Sequence, residues 1–154
     1  MIALVSIDDD DEQVAKAEIA WLLEGVTRRN QLLLLEHSVP PLYGGAIAYR
    51  PEPWSASAQS FSNLREVVLR RWGECKSLSC WAMALHRNAA SSPAEAARFT
   101  WDIRHRDYAA GQQPRGYRLA PRRGRTRLWH VRLKLPDGSI EDPSERVPLW
   151  REGF

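Results

Sequence analysis

The chain has 154 residues, 44% of them hydrophobic and seven of them tryptophan, with a formal net charge of +3. That length suits one domain, spanning residues 1–154 around one core, with residues 1–11 as a candidate extended arm. Two cysteines exclude a disulfide framework and favour a reducing compartment, and no apolar run is long enough to cross a membrane.

Met1–Ile7 reads as a short strand or an extended arm. It is too short for a secretory signal, and Asp8–Asp11 follow at once. Those aspartates offer N-cap residues and negative charge to a helix running from Glu12 to about Glu36. Val14, Ile19, Leu22, Leu23 and Val26 form its apolar stripe. Gly25 either kinks this helix or divides it, and Pro40-Pro41 ends it. Glycines and prolines punctuate the stretch to Trp54, leaving Ala46–Tyr49 as a short edge strand. Gln59–Ser62 leads into a helix through Leu64, Val67, Val68 and Arg71, closed by Gly73.

A second helix is expected from about Cys75 to about Asn88, with Leu78, Trp81, Ala82 and Leu85 inward. Ser91-Ser92-Pro93 is a loop or a new cap before Ala94–Ala97. Ala97–Ile103 reads as a strand and Gly111–Gly116 as a loop. Thr126–Leu135 alternates strictly, with Trp129, Val131, Leu133 and Leu135 on one face and Leu128, His130, Arg132 and Lys134 on the other. Pro136-Asp137-Gly138 is a turn, and Ser139–Glu141 begins the return strand. Helices first and strands later indicate an α+β fold.

Three segments carry the candidate chemistry. Cys75 stands at a helix start, where the dipole and unpaired N–H groups favour a thiolate and can also face an oxyanion. His130 stands inside the alternating strand. A three-residue hairpin loop with left-handed Gly138 sets Leu135 against Ser139 and Arg132 against Asp142, so Asp142 becomes the diagonal neighbour of His130. A thiol, an imidazole and a carboxylate in that order are a nucleophile, its base and the group that orients the base. Taken singly, Cys75 reads as a small core hydrophobe, His130 as a half-exposed strand residue and Asp142 as a turn former. Cys80, five residues after Cys75, is expected in the core beside Trp81 and Leu85.

Gly73-Glu74-Cys75, a histidine on a strand, and Asp142-Pro143-Ser144 together resemble the transglutaminase-like cysteine protease superfamily. Its pattern is Gly-Asp-Cys, then His-x-x-Val, then Asp-Pro-Thr or Asp-Pro-Ser. Pro41-Leu42-Tyr43-Gly44-Gly45, Tyr49 and Glu52-Pro53-Trp54 resemble short phage and prophage members, so the resemblance covers about two-thirds of the chain, from Pro40 to Ser144. It implies a papain-like core with the nucleophile's helix packed on a small antiparallel sheet. Cys75 would be the nucleophile, His130 the base and acid, and Asp142 the orienting group. The implied reaction is amide acyl transfer on a protein or peptide, by hydrolysis or transamidation, without cofactor or metal. The implied setting is a bacterial cytoplasm or a virion. The alternative it carries is a virion or assembly protein whose partners are other phage structural proteins; a Cys75→Ala variant that still assembles would separate the two. Glu74 and Lys76 replace the more usual acidic pair around the nucleophile, and Ser77 follows where an acidic residue is common.

Other features have plainer readings. Arg115–Arg127 is crowded with arginine, which we read as a solvated or protein-docking loop rather than a nucleic-acid surface. His37, His86 and His105 lack ligand spacing, and Cys75 with Cys80 makes a poor zinc pair. Tyr43, Tyr49 and Trp54 either line a groove or close a core edge. Trp54 and Gln59 are the candidate side-chain donors to an oxyanion.

Overall fold

The computed structural model describes residues 2–5, 11–51, 59–96, 98–108 and 126–151. It is a mixed α+β structure. In chain order the elements are β1 (Ile2–Val5), α1 (Glu12–Glu36), β2 (Ala48–Tyr49), β3 (Gln59–Ser62), α2 (Leu64–Arg70), β4 (Trp72–Gly73), α3 (Cys75–Ala89), α4 (Pro93–Ala96), β5 (Thr100–Tyr108), β6 (Thr126–Lys134), β7 (Ile140–Glu141) and α5 (Pro143–Arg146). The arginine-rich loop through residue 125, the loop expected at Gly111–Gly116 and Trp54 lie outside the described residues.

Helix α1 starts where the aspartates allow it. The Asp11 carboxylate accepts from the N–H groups of Gln13 and Val14, at 2.8 and 3.2 Å. The helix is continuous through Gly25. Its inner face is Ala15, Ile19, Leu23, Thr27, Asn30 and Leu33, so the expected stripe is corrected: Val14 points outward. Thr27 and Asn30 are polar yet fully buried. Asn30 has a reason to be there, because its Oδ1 accepts from the Leu64 N–H at 2.7 Å and so ties α1 to the start of α2.

Residues 59–62 form a strand, β3, where the sequence suggested only a lead-in; β3 pairs antiparallel with β1. Helix α2 is closed by Arg71 in the left-handed region (φ 61°), not by Gly73. Gly73 instead belongs to β4, parallel to β2. Its glycine is needed for a different reason. A Cβ there would lie 3.0 Å from Leu78 Cδ2 and 3.3 Å from Val67 Cγ1, so a side chain would push α3 away from α2. The strand expected at an edge, β2, is flanked on both sides, because Tyr49 also pairs with the chain at Leu149.

The larger sheet is β5-β6-β7, all antiparallel. β5 starts three residues later than expected and runs to Tyr108. Along β6 the expected alternation holds: Trp129, Val131 and Leu133 are buried, while His130 and Arg132 are half-buried on the other face. Helix α3 packs on β6, and the Ser79 hydroxyl donates to the Val131 carbonyl at 2.9 Å. It also packs along α1, where Arg87 makes a bidentate pair with Glu24 at 2.7 and 2.8 Å. Two apolar clusters result. One gathers Leu64, Val67, Leu78, Trp81, Met83 and Leu133 around Cys75; the other gathers Ile19, Leu23, Phe61, Trp129 and Val131 around Cys80. Leu85, expected inward beside Cys80, is instead exposed.

Candidate active site

Cys75 is the first residue of α3. The preceding Glu74 is extended and makes no side-chain bond to the helix end. The first intrahelical bond runs from the Leu78 N–H to the Glu74 carbonyl, at 3.0 Å. The N–H groups of Cys75, Lys76 and Ser77 therefore precede the helix's own ladder, where they favour a negative charge. Glu74 is turned away into a network of its own. Its buried carboxylate accepts from Ser60 Oγ at 3.1 Å and Ser77 Oγ at 2.7 Å, and Ser77 Oγ in turn accepts from the Ser62 N–H at 3.2 Å. This network fastens β3 to the start of α3 and gives Glu74 and Ser77 a structural role.

The hairpin delivers the other two groups in the register read from the sequence. Leu133 faces Glu141 and Lys134 faces Ile140. Gly138 has φ +86°, and the Leu135 N–H donates to the Ser139 carbonyl at 2.9 Å. His130 Nε2 and Asp142 Oδ2 are 2.5 Å apart. Asp142 is also the N-cap of α5, and its second oxygen accepts from the Ser144 N–H at 3.0 Å and the Ser144 hydroxyl at 2.6 Å. The Asp-Pro-Ser run thus has a mechanical meaning. Proline opens the short helix, serine pins one carboxylate oxygen, and the other oxygen is left aimed at the imidazole.

Asp142 takes Nε2, and a side-chain interaction between Cys75 and His130 acts on both groups. Burial opposes charge on all three groups, and the mutual contacts overcome it. For His130, burial disfavours the imidazolium, yet the bonds to Asp142 and Cys75 push its pKa up to about 10. For Cys75, burial disfavours the thiolate, yet the contact with His130 and the nearby Lys76 charge bring the thiol below its ordinary value. For Asp142, burial is likewise outweighed by the bonds from His130 and Ser144, which hold the carboxyl below its usual range. Each shift favours the charged form of its group: thiolate, imidazolium and carboxylate. Cys80 is the internal contrast: burial pushes its thiol up to about 12, and its sulfur contacts the Leu23 carbonyl at 3.5 Å.

A second polar cluster abuts the first and was not foreseen from the sequence. Glu141, adjacent to Asp142, is buried and accepts from the Tyr43 hydroxyl, from Arg146 at 2.8 Å and from His86 Nε2 at 2.5 Å. The His86 ring stacks on Phe99 with centroids 4.9 Å apart, and Arg146 lies over the Tyr43 ring. These contacts come from the Tyr43 turn, α3 and α5, and they hold in place the short segment that presents Asp142. Tyr43 therefore serves this cluster, and Tyr49 lies in the core. Only the backbone of Gln59 is described, so the two side-chain oxyanion candidates, Gln59 and Trp54, fall outside the described side chains. No helix among the described residues is long and apolar enough to cross a membrane.

No family model, no curated protein and no solved structure matches this chain.

Proposed function

We propose that the chain is a cysteine-dependent acyl-transfer enzyme acting on amide bonds, with Cys75 as nucleophile, His130 as acid and base, and Asp142 as the orienting carboxylate. The observation that carries this reading is the His130–Asp142 pair, with the carboxylate itself pinned by Ser144, and the electrostatic link from His130 to a thiol at a helix start supports it. Its likeness to a transglutaminase-like or papain-like core rests on the motif order and on the nucleophile's helix lying against an antiparallel sheet.

In this reading the Cys75 thiolate attacks the amide carbonyl and forms the C–S bond. The oxyanion is met by the first N–H groups of α3. The imidazolium proton of His130 passes to the amide nitrogen as the C–N bond breaks, leaving a thioester and a free amine. Neutral His130 then takes a proton from water or from a second amine, whose attack on the thioester releases the acyl group and restores the thiol–imidazole pair. Hydrolysis results with water and transamidation with an amine.

The test uses an activated acyl ester as probe and intact-mass detection of the acyl-enzyme. A single acyl group is expected on Cys75 in the parent and none in Cys75→Ser. A His130→Ala variant should acylate at least about a hundredfold more slowly, the ordinary worth of a positioned general acid or base. Acylation that is equal in Cys75→Ser, or that falls on Cys80, would overturn the proposal.

A further inference from the structure

Helix α1 has a second face, largely apolar, whose large side chains stay exposed among the described residues. Opposite its buried side, Val14, Glu18, Trp21, Gly25, Arg28 and Leu32 recur at alternating spacings of four and three, with Leu35 continuing the row. A helix packed on a core ordinarily turns charge to this side. Here Trp21 is 77% exposed, Leu35 75%, Leu32 50% and Val14 44%. Gly25 is equally unexplained by the described residues. A Cβ at that position would meet nothing within 4 Å, while a glycine inside a helix is destabilising relative to alanine.

We infer that this face is a self-complementary docking surface on which a second copy of the chain lies with its α1 antiparallel. Place the two-fold axis at the level of Leu23. Val14 of each copy then stands opposite Leu32 of the other, Glu18 opposite Arg28, and Trp21 opposite Gly25. The indole of one copy covers the bare glycine of its partner, twice, as an isologous interface requires. Charge selects the direction. A parallel pair would set Glu18 against Glu18 and Arg28 against Arg28, whereas the antiparallel pair sets opposite charges together at both ends of the tryptophan pair. Arg28 already reaches Glu24 of its own helix through Nε at 3.1 Å, which leaves the fork's other nitrogens for a carboxylate across the interface. The two tryptophans bury about 150–250 Å² each, and the two Val14–Leu32 pairs add to them, with Leu35 at each end of the row standing opposite the partner's Asp11, so that the total approaches the roughly 1,000 Å² that a specific interface needs.

Sedimentation velocity on the full-length chain across the micromolar range tests this. The parent is expected to dimerise reversibly. Trp21→Glu should raise the dimer Kd by about thirtyfold or more, the scale of a lost hot-spot residue, with an unchanged melting temperature at concentrations where both proteins are monomeric, because the side chain is exposed in the folded monomer. Glu18→Arg should weaken the dimer, and the double variant Glu18→Arg/Arg28→Glu should restore it. Leu69→Glu, at an exposed leucine on α2, should leave it intact. A parent that stays monomeric, a dimer that survives Trp21→Glu, or a charge swap that fails to restore association would each overturn the inference.

Discussion

Replacing Asp142 by Asn keeps the shape of the side chain and removes its charge. The carbonyl oxygen of Asn can still accept from the Ser144 N–H and hydroxyl, so α5 stays capped. His130 loses the anionic partner that now stands 2.5 Å from Nε2. A hydrogen bond to a charged group contributes about 1.5–3 kcal/mol, against about 1 kcal/mol for a neutral one. The difference is about 0.5–2 kcal/mol; His130 keeps an edge in water, which screens the pair and keeps the loss from the upper end, so about 1 kcal/mol applies, or a little under one pH unit. The imidazole that titrates at about 10 in the parent should therefore titrate roughly one unit lower in Asp142→Asn. The assay is an NMR titration of the histidine ring protons, with the His130 signal assigned by its loss in His130→Ala. With four histidines in the chain, the spectrum is simple enough to follow. A parent midpoint near the ordinary histidine value, or an unchanged midpoint in Asp142→Asn, would refute the electrostatic reasoning.

Further outcomes follow from the same geometry. Ser144→Ala removes the 2.6 Å bond to Asp142, and should slow Cys75 acylation by about tenfold or less for the loss of about 1 kcal/mol, and lower the melting temperature by only about 2–4 °C. Glu141→Gln breaks the pairs with His86 and Arg146 in a buried place, and should cost about 1–3 kcal/mol in denaturant unfolding. In both Glu141 and Asp142 the folded-state pKa lies below the unfolded one, so their stabilisation is complete above about pH 4–5 and disappears as pH falls through the folded values. His130 has the opposite sign: its stabilisation is complete below about pH 6.5 and is lost as pH rises through about 10, so unfolding free energy should decline on both sides of the neutral range. Gly73→Ala puts a methyl 3.0 Å from Leu78 Cδ2 and should destabilise by about 1–3 kcal/mol, shifting the start of α3 and slowing acylation at Cys75 as well.

The C-terminal hairpin was legible in the sequence because two independent signals agree there. Period-2 alternation fixed which face His130 takes, and Pro136-Asp137-Gly138 fixed the register that puts Asp142 beside it. The start of α3 at Cys75 was legible from the glycine and the apolar spacing that follows. The inner face of α1 was less so, because Thr27 and Asn30 are buried where hydrophobicity alone would not put them. Asn30 is inside because it serves the start of α2, a contact 34 residues away. Strand β3 has only one apolar residue, Phe61, and takes its conformation from pairing with β1. The Glu141 cluster joins Tyr43, His86 and Arg146 from three elements, and no local pattern brings those residues together. Ser144's part was missed because Asp142-Pro143 already reads as a complete turn signal, which hides the role of the residue after it.

The protonation state of Cys75 at neutral pH decides the matter. Ultraviolet absorbance of the thiolate, followed against pH as the difference between the parent and Cys75→Ser, reads it without any assumed substrate. The thiolate signal is expected to be present well below the pH at which ordinary thiols ionise, and to retreat to alkaline pH when His130 is replaced by Ala. A Cys75 that ionises only near or above pH 9, the ordinary thiol value, or one whose titration ignores the loss of His130, would show that the sulfur and the imidazole do not form the working pair.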